Sequence, residues 1–350
     1  MTAPFSADRP VLVLYAGGTL GMVASPRGLA AGGNMNARLR SALATLPPTR
    51  QARLPAFVVK ETDEPIDSSA ATAMDWQRLG HTIAKALPDY AGVVVLHGTD
   101  TLAWTAASLA YQLQGLDRPV IVTGAMRPLE AQYSDALANV ELALRFATEP
   151  RLQEVSVAFA DKLFRGVRTR KRHSEASDAF ASPNYPLLGE RVGDDTVIYP
   201  ARGLEAQQRG APRFELPDYA ALAAGGVARI VLWPGIQAWQ LATWLEDNRV
   251  QGALLEVWGG GNAPEDPALL GVLAKATGEG KLLAAVTQCP HGGIAIGQYA
   301  AGLGLAEAGV LSGDAMTPEA ALTKLVHLLA QPLDERERKR RFLTALVGER

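Results

Sequence analysis

The chain is 350 residues long, 48% hydrophobic and 20% charged, which suits a globular enzyme with room for two full cores and argues against large-scale disorder. A net charge of −2 supplies no field for gathering nucleic acid or anionic lipid. One cysteine, Cys289, excludes an internal disulfide framework, and five histidines fall singly, so neither structural zinc nor any cofactor is expected.

Residues 1–10 show no basic start followed by a long apolar core, and no unbroken apolar stretch of about 18 residues follows. A cytoplasmic protein with no membrane partner is the expectation. Short β-branched runs at 11–15, 56–60, 93–97, 120–123 and 155–160 alternate with helical stretches at 74–86, 102–114 and 135–147. That alternation predicts an α/β fold, a mostly parallel sheet with helices on both faces. Patterning weakens between Gly189 and Gly226, where glycines and prolines punctuate the chain, and a linker is expected at 206–226. A second alternation follows: strands at 228–233, 252–257 and 282–287, and helices at 237–248 and 267–277. The expected organisation is a larger domain over 1–205 and a smaller C-terminal α/β domain over 227–350. The mixed-sign run from Asp334 to Arg341 reads as a solvated helix face.

Two threonine turns stand out, Gly17-Gly18-Thr19 after the first strand and His97-Gly98-Thr99-Asp100-Thr101 after the third. Strand ends of this kind are where open α/β sheets bind ligands. Neither turn fits a phosphate loop and the first lacks the spacing of a dinucleotide fingerprint, so the chemistry suggested is nucleophilic. Thr19 is the leading candidate, because Gly17 and Gly18 let a substrate carbonyl approach the backbone; a plain turn with Thr19 as a cap is the alternative. A neutral hydroxyl attacks weakly and needs a base or relay nearby. Thr99 can relay a proton, Asp100 can hold an ammonium group or orient a lysine, and Lys171 is available in the basic stretch from Phe164 to Arg172. Held against Thr99 in a dry crevice, that lysine becomes a proton acceptor; otherwise the stretch is a solvated basic loop. Asp67-Ser68-Ser69 lies beyond the second strand, as a third contribution to the same sheet edge or as a helix cap, as Thr99 to Thr101 can also be. Gly259-Gly260-Gly261-Asn262 follows a strand of the second domain, and Asn262 can reach a ligand or a neighbouring subunit.

These motifs, with Gly261-Asn262-Ala263-Pro264 and Thr287-Gln288-Cys289, come in the order seen in bacterial L-asparaginases, and the chain most resembles the cytoplasmic type I branch from about residue 11 to 330. The resemblance implies hydrolysis of L-asparagine to L-aspartate and ammonia through a threonine acyl-enzyme. It implies Thr19 as nucleophile and Thr99, Asp100 and Lys171 as the relay. Gly18, Ser68, Ser69, Gly98, Thr99, Asp100 and Asn262 then bind substrate, with Ser68 on the α-carboxylate, Asp100 on the α-ammonium group and Asn262 supplied by a partner subunit. A homodimer, commonly paired into a homotetramer, follows from the last point.

Two departures qualify the resemblance. Relatives carry a tyrosine on the loop after the first threonine, where this chain reads Arg27-Gly28-Leu29-Ala30-Ala31; Leu29 moves no proton, which leaves Lys171 with Thr99 as the better base. Gly28, Gly32 and Gly33 still suit a lid. The allosterically controlled enzymes carry an arginine where Glu256 stands here, and a glutamate repels an amino-acid carboxylate, so that regulatory site is not carried over. The rival readings are a relaxed asparaginase-glutaminase or other small-amide amidase, an amino-acid-binding sensor, and an ammonia-supplying amidotransferase subunit, the last disfavoured by the near-neutral charge.

Overall fold

Val11–Tyr15 is buried along its whole length in a computed structural model that describes residues 9–26, 28–223, 225–296 and 300–350. A strand covered on both faces needs an apolar residue at every position, which is why this run is continuous rather than alternating. Phe57–Glu61 pairs with it on one side and Val93–Leu96 on the other, both parallel, in the registers Val11 with Phe57 and Leu12 with Val93. Val120–Thr123 and Val155–Phe159 extend the sheet, again parallel. Across these five strands the chain order is second, first, third, fourth, fifth, so the direction of winding reverses between Val11–Tyr15 and Val93–Leu96. Such a switch point leaves a crevice outside the carboxyl ends of the two strands, because the loops that follow them depart to opposite sides.

Lys162–Arg165, Gly189–Val192 and Asp195–Ile198 complete an eight-stranded sheet as an antiparallel flank. The stretch from Gly189, expected to be irregular, therefore opens with a hairpin turning at Gly193 and Asp194. Helices Met35–Leu43 and Ala136–Phe146 cover the face bearing Val11, Val13, Val94 and Leu96. Leu12, Leu14, Val93 and Val95, which point the other way, are buried too. Ala73–Ala86 starts at Thr72, whose capping box with Asp75 displaces Asp67-Ser68-Ser69 from the cap role.

The chain divides into two compact units between Leu216 and Pro217. The second holds a four-stranded parallel sheet ordered Val227–Val231, Gly252–Val257, Leu282–Thr287, Leu311–Ser312, packed by helices Ala238–Leu245, Pro267–Gly278 and Pro318–Leu329. Glu335–Leu343 is a helix capped by Asp334, and the ion pairs Lys339 with Glu335 and Arg340 with Glu337 lie on its solvated face. Lys324 and Glu349 form a fully buried ion pair in this unit, and burial pushes the Lys324 ammonium down to about 8. The fold is thus α/β, with a larger mostly parallel N-terminal sheet and a smaller parallel C-terminal one.

Candidate active site

The two threonine turns leave the two strands that flank the switch point. Gly18 has φ 93°, and a Cβ built on it meets Gly98 Cα and N at 2.3 Å. The backbones of the turns therefore touch, and only glycine permits the approach. A Cβ on Gly98 meets Ser68 Oγ at 2.4 Å, so the third loop closes on the same spot. Ala16 N donates to Leu96 O (2.9 Å), Ile66 N donates to Ala16 O (2.6 Å), and the Thr101 hydroxyl donates to Ser68 O (2.8 Å). Thr101 occupies the N-cap position of helix Leu102–Gln112 but spends its side chain on the neighbouring loop rather than on the helix.

His97 sets the second turn from beneath. Its Nδ1 contacts Gly98 O (2.8 Å) and its Nε2 contacts Thr105 Oγ1 (3.1 Å), and burial holds its pKa below the usual imidazole range. A neutral ring packed this way fixes the backbone and carries no charge into the crevice.

Lys171 arrives on a short antiparallel ribbon, Arg170–Lys171 with Phe180–Ala181. Phe180 packs against Phe159 with ring centroids 4.8 Å apart and planes tilted by 59°, which seats the ribbon at the end of the fifth parallel strand. From there Lys171 Nζ donates to Thr99 Oγ1 (2.9 Å) and to Asp100 Oδ1 (2.8 Å). Thr99 is buried, Lys171 is one-fifth exposed and the Asp100 carboxylate is mostly exposed. The cluster is a hydroxyl with an amine behind it and a carboxylate at the solvent edge.

The basic stretch around Lys171 is not a solvated loop. Arg165 is buried, pairs with Glu154 (2.7 Å) and stacks on Tyr185 at 4.3 Å, while Arg168 lies 5.5 Å from the same ring. Glu154 lies 11 positions before Arg165 and Tyr185 follows the loop, and only the antiparallel turn back along the sheet brings them together, which is why local charge counting places these arginines in water. Thr19 is half-buried in a 3-10 turn, Thr19–Gly21. Ser68 is buried; Ser69 is exposed and donates from its N (2.9 Å) and Oγ (2.8 Å) to Asp67 Oδ1, which holds that carboxyl below its usual range.

Leu29 sits on a two-stranded hairpin, Met22–Ser25 with Gly28–Ala31, opposite Ala24 and 54% exposed. Arg27, from the same stretch, lies outside the described residues. In the C-terminal unit Asn262 closes the glycine turn through mutual backbone bonds with Trp258 (2.9 and 3.0 Å), and its side-chain Oδ1 is buried with no hydrogen-bond partner among the described residues. Glu256 is buried and accepts from Arg229 Nε at 2.5 Å, so its charge is matched by an arginine on the adjacent strand. No sequence signal marks that pair, because parallel neighbours are set by register.

The chain matches two family models, "Asparaginase, N-terminal" over residues 10–202 and "Glutaminase/Asparaginase C-terminal domain" over residues 226–342. It is 36% identical to L-asparaginase 1 of Escherichia coli K12, covering 97% of this chain and 98% of that protein. It is 34% identical to the mouse 60 kDa lysophospholipase, over 100% of this chain and 64% of that longer protein. The crystal structure of L-asparaginase I from Vibrio cholerae superposes with a TM-score of 0.85 at 36% identity, covering 97% of this chain and 98% of that one.

Proposed function

Since the chain belongs to the asparaginase family, we propose that it hydrolyses the side-chain amide of L-asparagine to L-aspartate and ammonia. The observation that carries this reading is Lys171 Nζ shared between Thr99 Oγ1 and Asp100 Oδ1 at a switch-point crevice where the Gly18 and Gly98 backbones touch. An amide carbonyl seated there meets a hydroxyl on a bulk-free turn, a proton relay, and a carboxylate to hold its α-ammonium group.

In the proposed cycle Thr19 Oγ attacks the amide carbon. The new C–O bond forms, the C–N bond breaks, and the proton from Thr19 leaves with the nitrogen as ammonia. Water then cleaves the acyl ester, releasing aspartate and returning a proton to Thr19. The Lys171 and Thr99 pair moves the proton in each half, so each half avoids an isolated alkoxide. Gly18, Ser68, Ser69, Gly98 and Asp100 bind substrate in this reading. Asn262, with its buried and unpartnered oxygen, completes the site of a second copy in a homodimer or homotetramer. No nucleic-acid or membrane partner is proposed, and the cytoplasm, a reducing compartment that suits the exposed Cys289, is the proposed location.

Ammonia release from L-asparagine and from L-glutamine by the purified protein, with Thr19→Ala beside it, tests the reading. Turnover of asparagine, lost by at least about a thousandfold in the folded variant, is expected. Tight asparagine binding without turnover would make the protein a sensor instead. Equal rates on the two amides would make it an asparaginase-glutaminase.

A further inference from the structure

The hairpin after Thr19 has two feet, Gly21 at its start and Gly32 at its end, and both meet one guanidinium. Arg38 Nη1 donates to Gly21 O at 2.7 Å, and Gly32 N donates to the same oxygen at 3.1 Å. A Cβ built on Gly32 would lie 2.5 Å from Arg38 Nη1 and 2.9 Å from Gly21 O, so the second foot has no side chain because the arginine and the first foot fill that space.

Arg38 reaches Gly21 in a fixed orientation. Its Nε and Nη2 donate to the two carboxylate oxygens of Glu130, each at 2.6 Å, a bidentate fork that leaves Nη1 aimed at the hairpin. The Arg38 side chain is only 16% exposed, and the hydrogen bond to it holds the Glu130 carboxyl below its usual range. Leu129, next to Glu130, donates its backbone N to Leu20 O at 3.0 Å. Gly21 N donates to Gly18 O at 3.1 Å. Met22 N donates to Thr19 O, so every carbonyl from Gly18 to Gly21 is engaged, those of Leu20 and Gly21 by groups that the Leu129 and Glu130 segment supplies or orients.

We infer that Arg38, forked by Glu130, is a positioning residue that sets the orientation of Thr19 and forms the hinge of the paired strands Met22–Ser25 and Gly28–Ala31. The inference rests on the reading that Thr19 carries the reaction. Gly21 ends the turn that Thr19 begins, so loosening its carbonyl swings the hydroxyl, and loosening both feet lets the hairpin lose its angle to the crevice. Residues at a hinge change kcat and KM together, whereas a misplaced nucleophile lowers kcat.

The test pairs steady-state kinetics on L-asparagine with backbone hydrogen exchange, the second being independent of turnover. Arg38→Ala is expected to lower kcat about tenfold to a hundredfold, with KM raised, and to speed exchange at Gly21 and Gly32 while the sheet amides stay protected. Glu130→Gln, at an exposed carboxylate, keeps the fold and should give a smaller change in the same sense. Arg38→Lys should recover little, since an ammonium cannot hold Glu130 and Gly21 in the fork geometry. Folded variants with unchanged kcat, KM and hairpin exchange overturn the inference, as does exchange that rises evenly through the N-terminal unit or full rescue by lysine. If the wild-type protein releases no ammonia, the asparaginase reading falls; faster exchange confined to the two feet would still uphold the hinge, and its absence would remove that as well.

Discussion

Both units end a parallel strand in a glycine turn, yet the two turns finish their hydrogen bonding differently. In the N-terminal unit several polar groups of the switch point are tied to one another: His97 with Gly98 and Thr105, Thr101 with Ser68, and Lys171 with Thr99 and Asp100. In the C-terminal unit the turn from Gly259 to Asn262 is held by backbone bonds to Trp258 and by Thr287 Oγ1 donating to Gly259 O (2.8 Å), while Asn262 Oδ1 stays buried and unpartnered. A buried acceptor left unsatisfied costs roughly 1–3 kcal/mol. The contrast teaches that the first turn is organised by the chain that owns it, whereas the second leaves one acceptor open, which in the proposed assembly a second copy's substrate would meet.

The relay is where the comparison breaks most severely. Thr99→Val and Lys171→Met should each lower kcat by about a hundredfold to ten thousandfold, because each removes one end of a single proton path. The double variant should be little worse than either single one, since members of a unit fail together. Rates from ammonia release on all three decide the point, and full additivity would separate Lys171 from Thr99.

Backbone contact gives the next largest effect. Gly98→Ala places a Cβ 2.4 Å from Ser68 Oγ and 3.3 Å from Gly18 Cα, and should cost about 1–3 kcal/mol of stability together with most of the activity. Gly259→Ala in the second turn meets nothing nearer than Asn262 Nδ2 at 3.8 Å, so only its positive φ is felt, about 1 kcal/mol. Urea titration of the two variants measures the difference. Equal losses would mean that the close approach at Gly98 is not what constrains the first turn.

Asn262→Ala sharpens the comparison from the other side. Removing a buried acceptor that has no partner should leave stability unchanged or raise it, by up to about 1–3 kcal/mol, while activity falls. Mixing Asn262→Ala chains with Thr19→Ala chains should restore part of the activity, because a hybrid dimer holds one site with Thr19 from one copy and Asn262 from the other. Failure to complement would assign Asn262 to its own chain or to no site.

What was readable in advance follows the same line between local and distant causes. Strands Val11–Tyr15, Val120–Thr123, Gly252–Val257 and Leu282–Thr287 match the sequence expectation at both ends, since full burial demands an apolar run that composition alone reveals. The meeting of Lys171 with Thr99 was readable through the order of the family's motifs, since the residues alone left a solvated basic loop as the alternative. Arg165 and Arg168 were not, because the partners that bury them, Glu154 and Tyr185, are brought in by an antiparallel flank that no periodicity announces. The fork of Arg38 on Glu130 was hidden because its two residues are 92 positions apart and neither falls in a motif.

The smallest expected effect lies on the hairpin. Leu29 is 54% exposed and pairs across the ribbon with Ala24, so it contributes little packing where it stands. Its side chain carries no proton, so in the proposed cycle the Lys171 and Thr99 pair performs the transfer. Leu29→Ala should therefore leave kcat and its pH profile in place and raise KM a few-fold, through weaker exclusion of water when the hairpin covers bound substrate. Leu29→Tyr should leave activity unchanged or raise it, because a phenol added beside a working relay supplies an alternative donor without removing the first. Steady-state kinetics across pH for the three proteins separates these roles. A pH profile that shifts in Leu29→Ala while KM holds constant would place the hairpin in the proton path and reduce the Lys171 cluster to substrate binding.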